Sequence, residues 1–252
     1  MRIILRPFQI LYCIYALATF VALMIPVFIW ALIVSSFGRI KGGNLIYAAV
    51  KIWADIWFPL IFIFHRNIYL EKHDPEASYI FVSNHISYLD SAIIPKTFRH
   101  PLRPLGKVEM SKIPIFGFIY KNTIVTVDRS SSAHRTKSVH LLKAVLRKGI
   151  SILVFPEGTF NMTHNPLKEF YDGAFRIAIE TGTPIKPVLL LDSYSRLHYK
   201  SIFTLNPGKS RSVFLPAIPV DGLTLKDAAM LKEKVYSIME KALVEYKASW
   251  SR

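Results

Sequence analysis

Between Pro7 and Gly38 the chain carries no charged residue, an uninterrupted run of 32. Wound as one α-helix, a run of that size measures about 48 Å, well beyond the ~30 Å hydrocarbon core of a bilayer. Pro26 stands inside it and predicts a kink or break. Arg2 and Arg6 precede the run and Arg39 and Lys41 follow it. With basic residues on both flanks, the positive-inside rule does not favour a simple crossing. A chain that dips in, turns near Pro26 and returns to the cytoplasmic side fits as well as a tilted span. Arg2, Arg6 and the Ala16-Leu17-Ala18 triplet also resemble a secretory signal. The apolar run continues far past that point, so the segment is expected to be retained.

A second apolar stretch, residues 44–64, is interrupted by Lys51 and Asp55. These lie four apart and share one helix face; Trp53, Trp57 and Phe58 lie elsewhere on the surface, as Trp does near a membrane–water boundary. Two membrane-associated helices are expected in residues 1–65, followed by a soluble domain in residues 66–252.

The composition agrees. Of 252 residues, 52% are hydrophobic and 19% charged, and the net charge is +15. A disordered basic tail would be rich in charge and poor in apolar residues. A polytopic transporter would need further long uncharged stretches, and none follows residue 65. Cys13 is the single cysteine, which excludes an internal disulfide and any Cys-based zinc site. Residues 1–50 hold four basic and no acidic residues, leaving 28 basic and 17 acidic residues, a net +11, for the remainder. Such a surplus suits an anionic partner: a membrane surface, a phosphate-bearing ligand or nucleic acid.

After Arg66, short apolar runs at 79–82, 124–127, 150–155 and 185–191 read as buried strands. They alternate with helical stretches at 89–98, 133–147 and 173–181. The alternation predicts an α/β domain with a largely parallel central sheet flanked by helices. A further strand is expected at 211–216. An amphipathic helix is expected from Leu225 to about Lys247, with Leu231, Val235, Ile238, Met239, Leu243 and Tyr246 at helical spacing.

Carboxyl ends of strands in such sheets are where sites form. Ser83-Asn84-His85-Ile86-Ser87-Tyr88-Leu89-Asp90 follows the first of these strands. On one helix, His85 and Asp90 would point roughly 140° apart. They meet only if His85 sits in the turn before the helix and Asp90 in its first turn. A carboxylate there fixes the imidazole tautomer and frees the other nitrogen to act as a general base. The plain structural alternative makes Ser87 and Asp90 a variant capping box and His85 a satisfied turn residue. Phe155-Pro156-Glu157-Gly158-Thr159-Phe160 follows another strand. Pro156 stops that strand, Gly158 permits close backbone approach, and Glu157 offers a carboxylate; an exposed turn is the alternative. Lys107 and Arg129 stand near strand ends, where each can meet a phosphate. There is no GxxxxGK[ST], GxGxxG, HExxH or GxSxG, and the eight histidines lack metal-ligand spacing. No DNA-reading or RNP motif organises the basic residues, so nucleic acid is not expected as a partner.

Asn84-His85-(four residues)-Asp90, then Asp128-Arg129, then Phe155-Pro156-Glu157-Gly158-Thr159, then Pro184-Ile185-Lys186-Pro187-Val188 together resemble the four blocks of the glycerolipid acyltransferase family. This is the PlsC-like family, which includes lysophosphatidic acid acyltransferases. The resemblance covers roughly residues 66–220, and the preceding apolar helices resemble the membrane motif of bacterial members.

The resemblance implies an O-acyltransferase of phospholipid biosynthesis at the bacterial inner membrane, with its catalytic domain on the cytoplasmic face. His85 would be the general base and Asp90 its orienting partner. Asn84, Lys107, Arg129, Glu157, Gly158 and Thr159 would bind substrate. Acyl-CoA or acyl carrier protein would be the donor and a lysophospholipid, foremost lysophosphatidic acid, the acceptor. No metal or redox cofactor is expected.

The chain departs from the family pattern at Thr123, where Gly is usual, at Lys186, where an apolar residue is usual, and at Phe160, where Arg is usual. Losing an Arg–phosphate contact removes a charge-assisted bond worth roughly 1.5–3 kcal/mol. That points to the same chemistry on a lysolipid without the phosphomonoester, such as a lyso-aminolipid, unless Lys168 or Lys186 compensates. Two other classes remain open from the residues alone. One is a hydrolase with Ser83 or Ser87 as nucleophile; the other is a non-enzymatic protein held to anionic lipid by its basic surface.

Overall fold

The structure, a computed structural model, describes residues 2–127, 132–163 and 165–250. Helix α1, Arg2–Val34, runs through Pro26 without ending, so the expected break and the reversal near it do not occur. Proline forfeits one bond, to the Ala22 carbonyl, but its fixed φ is helical. Met24, Val27 and Ala31 around it are buried in the packing against the next helix. The chain reverses instead at Ser35–Phe37 and enters α2, Lys41–Leu60.

Residues 6–37 form a helical segment long and apolar enough to cross a membrane. Trp53 and Trp57 are not boundary markers. Both are buried, with the Phe20 ring edge-on to them at 4.9 and 5.2 Å, and the Trp57 indole donates to the Ala16 carbonyl at 3.0 Å. They fasten α2 to α1, and aliphatic side chains such as Leu17, Val21, Ile29 and Ile52 are exposed instead.

Seven strands follow: β1 Ile63–Tyr69, β2 Ile80–Ser83, β3 Leu102–Lys107, β4 Val125–Val127, β5 Ser151–Val154, β6 Ile185–Leu190 and β7 Gly208–Phe214. Interspersed are α3 Leu89–Thr97, α4 Phe116–Thr123, α5 Ser132–Leu146, α6 Gly173–Thr181, α7 Ser193–Arg196 and α8 Ala228–Glu245. The sheet order is β1-β7-β6-β2-β5-β3-β4. Every neighbouring pair is parallel except β6 with β7, in accord with the expected largely parallel sheet. Strands β1 and β3 were not anticipated. The first begins at Ile63 inside the apolar stretch and carries His65-Arg66-Asn67, and the second contains Pro104 and Gly106, which weaken a strand signal. Position 65/66 therefore lies within β1.

Side-chain alternation divides the core. Ile80, Val82, Ile152 and Val154 join one cluster with α5, α6 and α8, whereas Phe81 and Leu153 face the other side. The α1–α2 pair packs over that other side, in a cluster that also takes in Leu89, Ile93, Ile119, Leu190, Leu197 and Leu205. The carboxylate of Asp55 on α2 accepts from Lys96 at 2.8 Å and from Arg99 at 3.1 and 2.7 Å, which ties α2 to α3. From adjacent β2 and β5, the chain crosses to β3 on one side and to β6 on the other. That divergence opens a crevice at the carboxyl ends of the two strands, where α/β sheets bind ligands.

Candidate active site

His85 occupies the turn between β2 and α3, and Asp90 is the second residue of α3. Their five-residue spacing is bridged because only Asp90 is helical. The His85 Nδ1 and Asp90 Oδ2 atoms stand 2.9 Å apart. The same oxygen accepts the Ile86 and Ser87 amides at 2.8 and 2.9 Å. An oxygen with those donors aimed at it accepts, so Nδ1 carries the hydrogen and Nε2 presents its lone pair. The capping and catalytic readings of this segment are thus one arrangement, in which a single carboxylate oxygen closes the turn and holds the ring. Asp90 is fully buried, while the His85 side chain is 18% exposed. Nε2 makes no hydrogen bond among the described residues.

Two rings fix the imidazole further. Phe155 stacks on it at 4.2 Å with an 18° tilt, and Phe160 meets it nearly edge-on at 4.5 Å. Tyr88 in turn packs against Phe160 at 4.8 Å. Phe155 was not singled out from the sequence. Strand parity is the signal that could have found it, since it follows Val154 on the opposite face at the end of β5.

The expectation that Glu157 positions the acceptor is revised. Glu157 is fully buried rather than an exposed turn residue. Its Oε1 accepts the His85 amide at 2.8 Å and its Oε2 the Lys168 amide at 2.9 Å. Both oxygens are engaged in stapling the His85 turn to the segment after β5. Burial pushes this carboxyl up to about 8, with the Lys168 and His85 amides opposing that rise and the Asp90 charge adding to it. Gly158 adopts φ +71, a left-handed conformation that favours glycine, and its amide donates to the Phe155 carbonyl at 3.0 Å, closing the turn that carries Glu157. Asn84 is likewise revised. It is buried, and its amide spans the Leu190 backbone, donating at 3.0 Å and accepting at 2.9 Å. It ties β2 to β6 and has no side-chain group left facing the crevice.

Thr159 Oγ1 accepts from Lys168 Nζ at 2.9 Å, which places an ammonium in the same loop as Glu157. Lys107 is exposed at the carboxyl end of β3, two strands from β2 and so about 10 Å along the edge. Lys186 cannot compensate for a missing arginine. It is fully buried, its Nζ is held by Glu71 at 2.9 Å, and its register partner is Phe81, short of the crevice. Arg129 lies outside the described residues, as does Asp128.

The hydrolase alternative loses its nucleophiles. Ser83 and Ser87 are fully buried. The Ser87 hydroxyl donates to the Leu197 carbonyl at 2.5 Å and accepts the Leu89 amide at 3.0 Å. Among the described residues, the Ser83 hydroxyl has only a 3.5 Å contact, to the Asn84 carbonyl.

A carboxylate-held histidine thus stands at the carboxyl end of a central strand of a largely parallel α/β sheet. The acyltransferase family model matches residues 65–191, and the chain belongs to that family.

Relatives include an uncharacterized acyltransferase of Schizosaccharomyces pombe, 32% identical over 70% of this chain and 63% of that protein. The 1-acyl-sn-glycerol-3-phosphate acyltransferase of Haemophilus influenzae is 28% identical over 83% of this chain and 86% of its own length. This chain thus spans less than two thirds of the fission-yeast relative. The crystal structure of the 1-acyl-sn-glycerophosphate acyltransferase PlsC from Thermotoga maritima matches over the whole of both chains, with a TM-score of 0.73 and 21% identity, a likeness of fold.

Proposed function

We propose that this protein transfers a fatty acyl group from an acyl thioester, acyl-CoA or acyl carrier protein, to the free hydroxyl of a lysophospholipid, foremost lysophosphatidic acid. The observation that carries the reading is the His85–Asp90 pair at 2.9 Å, with Nε2 left without a hydrogen-bond partner among the described residues. His85 Nε2 takes the proton of the acceptor hydroxyl as that oxygen bonds to the thioester carbonyl carbon. The resulting imidazolium remains hydrogen-bonded to Asp90, whose negative charge favours it. Collapse of the tetrahedral intermediate breaks the C–S bond, and the imidazolium returns its proton to the leaving thiolate. A thioester is already activated, so positioning plus one base suffices and no metal or redox cofactor is required.

The lipid setting is part of the proposal. The exposed aliphatic face of α1 and α2 would lie in the membrane, which for a bacterial protein is the inner membrane with the sheet on the cytoplasmic face. Lys107, Thr159 with Lys168, and Arg129 would serve the anionic groups of the substrates. Phe160, packed on His85 where the family usually has arginine, supports a second reading in which the acceptor lacks a phosphomonoester, as in a lyso-aminolipid. Full-length protein supplied with radiolabelled acyl-CoA and a panel of acceptors decides between them. Preference for lysophosphatidic acid supports the first reading, and preference for the lyso-aminolipid the second. Failure to acylate any lysolipid would overturn both.

A further inference from the structure

A second concavity lies on the same edge of the sheet as His85, about two strand spacings away. It is a cavity of about 380 Å³ over the carboxyl end of β6 and the start of β7. Four basic side chains and one acidic one line it: Arg196, Lys209, Arg211, Lys247 and Asp192. The lone acid is already neutralised, because Arg211 grips both Asp192 oxygens at 2.9 and 2.8 Å. Lys209 and Lys247 are exposed at the rim, and their ammonium groups make no hydrogen bond or ion pair among the described residues. The Arg196 Nε–H is buried and has no acceptor among the described residues, although its Nη1 donates to the Pro207 carbonyl. With Arg211 and Asp192 paired, three cations remain around the cavity, a positive field that attracts an anion.

Two backbone features hold the cluster together. Gly208, at φ +133, has no Cβ where one would meet the Arg196 guanidinium, so that group rests on the β7 backbone. Lys247 takes φ +52, an unusual conformation for a residue with a side chain, just after α8.

The surroundings identify the kind of anion. Phe64, 62% exposed, is the register partner of Lys209, and Phe62, Ile202 and Phe203 on neighbouring segments are about half exposed or more. The Ile202–Thr204 turn packs on α1, and Gln9 of α1 reaches Asn206 at 3.2 Å. Cations with exposed apolar side chains on the adjoining strand and turn suit a lipid interface, where phosphates meet the former and acyl chains the latter. A freely diffusing phosphate gains nothing from that apolar rim.

We propose that this cavity holds the phosphate of an anionic phospholipid headgroup, at a site separate from His85. The assignment does not rest on the reaction proposed above, and its test reads no turnover. Full-length protein in neutral detergent is exposed to an amine-acetylating reagent, and modification of individual lysines is followed by mass spectrometry. Dihexanoyl phosphatidylglycerol should slow acetylation of Lys209 and Lys247 at least tenfold, while the exposed Lys226, just before α8, and Lys234 within it, about 20 Å or more from Lys247, keep their rates. Inorganic phosphate and dihexanoyl phosphatidylcholine at the same concentration should protect little.

In a second measurement, the K209Q/K247Q variant should bind phosphatidylglycerol vesicles about thirtyfold more weakly than the parent, at ~1 kcal/mol for each of two lysines. The K226Q/K234Q control should lose less than threefold. Equal protection by inorganic phosphate or phosphatidylcholine would overturn the headgroup assignment. Unprotected Lys209 and Lys247, or equal losses in the two variants, would overturn the site.

Discussion

Removing the Glu157 carboxylate should loosen the site before it touches any substrate. Its two oxygens accept the His85 and Lys168 amides at 2.8 and 2.9 Å. Glu157→Ala leaves two amides without acceptors, each worth about 1–3 kcal/mol, so the loss is about 2–6 kcal/mol. Both amides are only part-buried, which favours the lower half of that range. Even so, it is a large share of the ~5–15 kcal/mol that holds a domain together.

Glu157→Gln keeps one acceptor and turns an NH2 group toward the other amide, so about half the loss is expected. Hydrogen exchange at the His85 and Lys168 amides, together with thermal unfolding in detergent, reads this directly. Both amides should exchange faster in the alanine variant, and kcat should fall more than KM rises. The pH dependence has a definite sign. Because burial raises this carboxyl from the ordinary 4.5 to about 8 in the fold, the unfolded chain loses the proton first. Its contribution to stability is therefore complete below about pH 4.5 and is lost as pH rises through about 8. Glu157→Gln should flatten that decline. Unchanged exchange and unfolding midpoints, with only a higher acceptor KM, would refute the staple and return Glu157 to substrate binding.

Asp90→Asn keeps an acceptor for the turn amides but removes the charge that favours the imidazolium. It should lower kcat by on the order of 10²–10⁴ with little change in the circular dichroism spectrum. Ser87→Ala should cost about 1–3 kcal/mol of stability, through its lost bonds to Leu197 and Leu89, yet leave turnover within a few fold; complete loss of turnover in a folded variant would restore the serine-nucleophile reading. Phe160→Arg should shift preference toward phosphomonoester acceptors by roughly 10-fold to 150-fold in kcat/KM, the worth of one charge-assisted bond. An unchanged preference in the acceptor panel would remove Phe160 from specificity.

The α/β alternation and the paired blocks at 84–90 and 155–159 were legible because burial and chemistry both leave marks on single residues. Runs such as Ser-Ile-Leu-Val at β5 are apolar throughout because a central parallel strand is covered on both faces. The edge strand β1 pairs only with β7 and mixes polar with apolar residues, so its pattern has no such clarity. Pro26 misled because a proline marks a lost hydrogen bond but says nothing of the packing that outweighs it. Within the site, spacing and helix geometry allowed His85 and Asp90 to meet only with the histidine in the turn, and left the capping reading open beside it. The engagement of Glu157 and Asn84 by backbone amides and carbonyls could not, since those partners carry no residue-type signature. Phe160 was visible as a departure from a pattern, but its contact with the imidazole needed three dimensions.

The central claim is that His85 Nε2, held by Asp90, is the base of an acyl transfer. Its most direct measurement is single-turnover transfer from radiolabelled acyl-CoA to the preferred acceptor of the panel, with His85→Ala compared against the parent at equal membrane-bound, folded protein. A drop on the order of 10²–10⁴ in the transfer rate, with vesicle binding and unfolding midpoint kept, is the predicted result. Transfer at the parental rate by folded His85→Ala protein would contradict the account.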